Sequence, residues 1–240
     1  MIRVSKSATS SRPTGAPETQ VSRAEIVLQQ AILTLGLPPD SRLVLPMLGR
    51  RYGYGPTPLR EALSRLTAKG LVEAIDNRGF RVVGMSFEDL QDITKTRVVV
   101  ETGALRLAMR ERAGPWQDHL VAAMHRLSRA ANTPPDFAKS EAFEAAHRAL
   151  HTALIAGCGS RRLIAQQELL YDAAVRYRRN FTSPFEDTPA AIAMHQALVN
   201  IVLGTDSAAA CAALAAHLEL TLHAVYPKGK DTPEPSIPTA

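Results

Sequence analysis

Leu59, Ala62, Leu63 and Leu66 recur at i, i+3, i+4 and i+7, the spacing of a helix buried along one side. Thr57, Arg60, Glu61 and Ser64 fall on the opposite side, where a core has no use for them. Thr57 followed by Pro58 predicts an N-cap and first turn, and Gly70 a C-terminal stop. A second short helix is predicted over Leu45 to Tyr52, joined to the first by Gly53-Tyr54-Gly55-Pro56. After the stop, Leu71-Val72-Glu73-Ala74-Ile75 and Phe80-Arg81-Val82-Val83 read as strands, with Asp76-Asn77-Arg78-Gly79 a basic-tipped turn between them. Helix, turn, helix and hairpin together predict a winged helix; a small α/β core with a decorated surface is the alternative. From Ser86 the period is helical throughout. Helices are predicted over 86–112, 115–131, 135–156, 160–180, 187–204 and 206–226, with Ser86 capping the first. The expected fold is mainly α: a winged helix-turn-helix at 21–85, then an all-α antiparallel bundle at 86–227. Residues 1–20, rich in Ser, Thr, Pro and Gly, and 228–240, with three prolines, are expected as disordered tails.

Charge gives this division a meaning. The net charge of +5 is uneven: residues 1–85 hold 12 Lys+Arg against 6 Asp+Glu, and residues 86–240 hold the other 16 against 17. The excess lies on the winged helix, as attraction to phosphates requires. In this fold the second helix of the pair enters a DNA major groove. The residues expected to meet DNA are Arg50, Arg51, Thr57, Arg60, Ser64 and Arg65, with Asn77, Arg78, Gly79 and Arg81 of the wing. Cys158 and Cys211 form neither a CxxC pair nor a disulfide framework, and read as small core residues in a reducing compartment. The N-terminus lacks the apolar core of a signal peptide, and no run is expected to be apolar enough to span a membrane. A cytoplasmic location is expected.

Four histidines belong to the bundle. His147 and His151 lie at i, i+4 on the side that carries Phe143, Leu150 and Leu154. His195 shares a stripe with Ile192, Val199 and Val202, and His217 lies beside Leu214 and Leu220. A lone inward histidine is usually a satisfied core residue. Four aimed at one interior each need a partner for polar nitrogens. A divalent transition metal, zinc or nickel, would satisfy all of them. A metal hydrolase is one alternative. It is weakened because Arg148 follows His147 where a zinc-protease helix needs a glutamate base. An architectural DNA binder without a small-molecule ligand is another, and it leaves the histidines unexplained.

Leu48-Gly49, Thr57-Pro58-Leu59-Arg60-Glu61-Ala62-Leu63, Gly70-Leu71-Val72 and Asn77-Arg78-Gly79-Phe80, in that order, resemble the DNA-binding domain of GntR-type transcriptional regulators. Gly55-Pro56 departs from the family, which usually has Ser-Arg there with the Arg reaching DNA. The 86–226 region is similar to the all-helical effector domain of the FadR-type, or FCD, branch, and the chain to its carbon-starvation, glutarate-responsive repressors. The resemblance implies a metal held by one Asp and three His. His151, His195 and His217 match the three histidines, while His147 falls at the Asp position. It also implies a homodimer on a pseudo-palindromic double-stranded operator, more often as a repressor. The effector it implies is a small carboxylate held by Arg97 and by Arg176 or Arg178, while Arg179 reads as a solvated basic position.

Overall fold

The computed structural model describes residues 19–76, 78–111, 114–132, 141–180 and 188–227. Thr19 opens the first helix, α1 (Gln20–Leu33), by accepting the Ser22 N–H at 3.1 Å. Thr19 and Gln20, expected in a tail, belong to this helix and its cap, and residues 1–18 and 228–240 lie outside the described residues. Ala24, Leu28, Ala31 and Ile32 bury one side of α1, a helix the sequence reading passed over. A two-residue strand, β1 (Arg42–Leu43), leads into α2 (Leu45–Tyr52), which Gly53 closes at φ 76°. The helix α3 (Pro56–Ala68) then starts two residues earlier than expected. Gly55 is its N-cap and Pro56 its first residue, so Thr57 makes no cap. A proline at the first position loses no hydrogen bond and has its φ preset, which favours this start. Leu59, Ala62, Leu63 and Leu66 are fully buried, each leucine contributing about 2 kcal/mol. Gly70 ends the helix at φ 72°.

The wing follows as β2 (Val72–Ile75) and β3 (Gly79–Val82). The sheet is antiparallel in the order β1-β3-β2, pairing Arg42 with Arg81 and Glu73 with Arg81. Asn77 at its tip lies outside the described residues.

The remainder is helical: α4 (Phe87–Glu111), α5 (Gly114–Ala131), α6 (Glu141–Ile155), a 3-10 turn (Ala156–Cys158), α7 (Arg161–Asn180), α8 (Thr188–Leu203) and α9 (Ser207–Val225). The Asp89 N–H donates to Ser86 Oγ at 3.1 Å, as expected of a cap. Asp206 caps α9 through the N–H groups of Ala208 and Ala209. The start expected at 135 for α6 lies outside the described residues. One core is built from α4, α5, α6, α8 and α9, and buries both free cysteines. Gly157 is required in it, because a Cβ there would meet the Trp116 ring at 2.8 Å. The N-terminal core of α1, α2, α3 and the wing also takes in Tyr171 and Val175 of α7. The expectation about apolar runs fails at α9. Its 19 residues, of mean hydropathy 1.4, are long and apolar enough by composition to cross a membrane. In this fold α9 supplies Ala210, Cys211, Leu214 and Leu218 to the helical core.

Candidate DNA interface and metal centre

The exposed side of α3 carries Thr57, Arg60, Glu61 and Ser64. Arg60 and Arg78 border one concavity of about 520 Å³, floored by Leu43, Ile75 and Phe80. Arg42 of β1 borders it too, and the sequence reading missed this residue. Its strand is too short for any periodicity and exists only by pairing with β3. Arg42 lies directly opposite Arg81. Like charges so placed repel, and an anion would relieve them. Glu73 answers Arg81 alone, at 3.7 Å.

Two of the exposed arginines expected to meet DNA also have partners within the protein. Arg65 pairs with Glu25 of α1 at 3.1 Å, and Arg51 donates to the Gly36 carbonyl at 3.1 Å. Arg50 and Gly79 are exposed. Ser64 is exposed as well, with its hydroxyl donating to the Arg60 carbonyl at 3.0 Å.

The four histidines come together. One nitrogen from each of His147, His151, His195 and His217 lies within 4.8 Å of the others; the first three are buried and His217 partly so. Their neighbours decide which nitrogen each presents. His195 Nδ1–H donates to the Ala191 carbonyl at 2.7 Å, which leaves its Nε2 as a lone pair. Tyr171 donates its hydroxyl proton to Glu144 Oε1 at 2.5 Å, the stronger acceptor. Its oxygen then accepts His147 Nδ1–H at 2.7 Å. His147 therefore also presents a bare Nε2, and the two Nε2 atoms stand 2.9 Å apart. Two lone pairs at that distance call for a cation. A proton is opposed by burial, by the Arg178 charge and by the other imidazoles, which hold His147 well below its ordinary range. Burial, first of all, also depresses His151, His195 and His217. Neutral imidazoles are the form that ligates a metal.

Among the described residues, Arg97 Nη2, Glu101 Oε2, His151 Nδ1 and His217 Nδ1 are buried polar atoms without a hydrogen-bond partner. These residues surround the same centre, and the donor set suits a borderline transition metal better than magnesium or calcium.

The arginines divide. Arg97 Nε donates to Glu101 Oε1 at 2.7 Å, with both side chains buried. Burial raises the Glu101 carboxyl despite Arg97. Arg178 donates to Glu144 at 2.8 Å and to the Tyr171 hydroxyl at 3.0 Å. Burial works against its charge, but Glu144 and Tyr171 raise its pKa further. Both arginines line a cavity of about 20 Å³ beside His147, His151 and His217, room for about one water. Arg176 does not reach it. Arg176 is buried at the junction with the wing, where it donates to the Val83 carbonyl. Of the two alternatives the structure brings Arg178 to the cage and not Arg176. Arg179 pairs with Glu141 at 2.8 Å and is not a solvated position. Glu144 and Tyr171 were missed, since only folding brings them to the cage.

The depressed histidines carry a sign. Their folded pKa values lie below the unfolded value, so the unfolded chain binds more protons in acid. Their contribution is fully present above about pH 6.5 and falls as pH drops below it, by up to about 1.4 kcal/mol per pH unit for each histidine. Metal-free protein is therefore expected to melt lower at pH 5.5 than at pH 7.5. An unchanged midpoint in calorimetry at both values would mean that these imidazoles are not held neutral.

Comparison with known proteins agrees with this architecture. Residues 20–82 match the bacterial regulatory proteins of the gntR family, and residues 92–220 match the FCD domain. The chain is 34% identical over 195 residues to the HTH-type transcriptional repressor GlaR of Escherichia coli (strain K12), covering 80% of this chain and 89% of that protein. It is 33% identical over 191 residues to the uncharacterized HTH-type transcriptional regulator BphR of Paraburkholderia xenovorans (strain LB400), covering 77% and 76%. Among solved structures, E. coli McbR/YncC is similar in fold, with a TM-score of 0.71 at 19% identity over 88% of this chain and 98% of that one. A GntR regulator from Rhodococcus sp. RHA1 has a TM-score of 0.66 at 19% identity, over 85% and 95%. These families and relatives are transcriptional regulators, which sets the hydrolase alternative aside. The chain belongs to the GntR family of DNA-binding transcriptional regulators, in the branch that carries an FCD domain.

Proposed function

We propose that the chain is a cytoplasmic, homodimeric repressor whose helical part holds a divalent transition metal, zinc or nickel, and senses a small carboxylate beside it. Residues 21–85 act as the DNA-binding domain, with Arg60, Arg78 and Arg81 reaching a pseudo-palindromic operator. Residues 86–227 act as the dimerising effector domain. His147, His151, His195 and His217 hold the metal, which when bound supplies a Lewis-acidic cation to an anionic ligand. The single observation behind this reading is the convergence of one nitrogen from each of the four histidines within 4.8 Å, with His147 Nε2 and His195 Nε2 at 2.9 Å. Arg97 and Arg178 are the groups for the carboxylate, and each is at present paired with a glutamate. An incoming acid competes with Glu101 and Glu144 for these guanidinium groups. Such a ligand shifts operator affinity only as far as it binds the DNA-competent and incompetent states differently.

Elemental analysis of protein purified without chelator, followed by thermal shifts with C4–C6 dicarboxylates and hydroxy acids, tests both halves of the proposal. The expected content is about one ion per chain, as one four-ligand site holds, with acid-dependent shifts that vanish after metal removal. A content near zero that zinc or nickel cannot raise would leave the four residues as core histidines.

A further inference from the structure

Tyr171 is fully buried on α7, and it belongs to two environments at once. Its hydroxyl is bound to His147, Glu144 and Arg178 of the cage. Its ring has Arg148, Arg178 and Arg97 at 4.5, 5.0 and 5.7 Å from the centroid. The same residue belongs, with Val175, to the N-terminal core, which is otherwise built from α1, α2, α3 and the wing. The next residue, Asp172, continues outward. It accepts from Arg148 of α6 and from Gln29 Nε2 of α1, the latter at 2.5 Å. Gln29 Oε1 accepts from Lys69 at 2.8 Å, and Lys69 is the C-cap of α3. An unbroken run of contacts thus joins a cage imidazole to the end of the recognition helix.

We propose that Tyr171 is a positioning residue, which holds His147 with Nε2 turned to the metal and passes the state of the cage along α7, through Asp172 and Gln29, to α3. The inference rests on the metal reading above. An imidazole can turn over and present either nitrogen, and a hydrogen bond at one of them fixes which is offered. Here that bond comes from Tyr171, whose own proton is committed to Glu144. A cation drawn to Nε2 makes Nδ1–H a stronger donor and tightens its bond to the tyrosine oxygen. The hydroxyl cannot follow without the ring, and the ring is part of the core that seats α1. Asp172, on the same turn of α7, is held from both sides and moves with it.

Full-length protein tests this with zinc as the metal and, as DNA probe, a duplex selected from a random pool by the zinc-loaded protein. Tyr171→Phe keeps the ring and removes one oxygen. Its zinc affinity, read by competition with a chromophoric chelator, is expected to fall about 10- to 100-fold. Gln29→Ala lies outside the cage and should keep wild-type zinc affinity, yet lose most of the zinc-dependent change in affinity for the duplex. Equal zinc affinity of the wild-type and Tyr171→Phe proteins overturns the positioning role. A Gln29→Ala protein with a full zinc-dependent change overturns the route, even if Tyr171→Phe fails to fold. A wild-type protein that takes up no zinc sinks the metal reading itself, and this inference with it.

Discussion

Exchanging His195 and His217 together for alanine is expected to reduce metal uptake from about one ion per chain to near zero, because two ligands cannot hold the ion that four can. The pair comes from α8 and α9, whereas His147 and His151 share α6. A shared ion would tie these helices together and make binding energy part of folding energy. At a hundredfold excess over its Kd the ion adds about 2.7 kcal/mol of stability, or roughly 5–10 °C in a unit of this size. The double variant should lose that increment and be insensitive to chelator. The winged helix should still fold, since its core draws on none of the four histidines. A double variant that retains a full complement of metal would move the site elsewhere.

Arg60→Ala is expected to weaken specific DNA binding by about 1–3 kcal/mol, or roughly 5- to 150-fold, if the guanidinium reads a base edge. The expectation rests on its place. Arg60 is exposed on α3 and faces the concavity it shares with Arg42 and Arg78, whereas Arg65 on the same helix is turned back to Glu25. Arg78→Ala should act differently. It should weaken binding to most sequences alike and lower the salt dependence, as loss of a phosphate contact does. Titrations at two salt concentrations separate the two. An unchanged Arg60→Ala protein would remove α3 from its role.

Much of this was legible before folding. The limits of α2 coincide with those expected, and the buried stripe of α3 is the one its leucines spell out. The histidine cage was legible for the same reason: each imidazole lay on an apolar stripe, and stripes face inward. What stayed hidden depended on partners far away in sequence. Arg176 and Arg178 are two residues apart, about 200° around a helix, so one faces the wing and the other the cage. Nothing local says which. Tyr171 follows Leu169 and Leu170 and reads as one more core position of α7, while its importance comes from Glu144 and His147 on another helix. The start of α3 was misplaced because Pro56 and Pro58 both suit a first turn. α1 is a different case: Ala24, Leu28, Ala31 and Ile32 repeat with helical spacing, and the signal was there to be read.

The small cavity beside the cage has a kinetic consequence. A space of about 20 Å³ admits nothing much larger than water until its walls part. Those walls include Arg97 and Arg178, each tied to a carboxylate, the buried Glu101 and the partly buried Glu144, so opening is an event of the protein and not of the visitor. Entry of an organic acid should then be gated. Its observed association rate should rise with concentration at first and level off at the rate of opening, and the protein should respond on that clock however abundant the acid becomes.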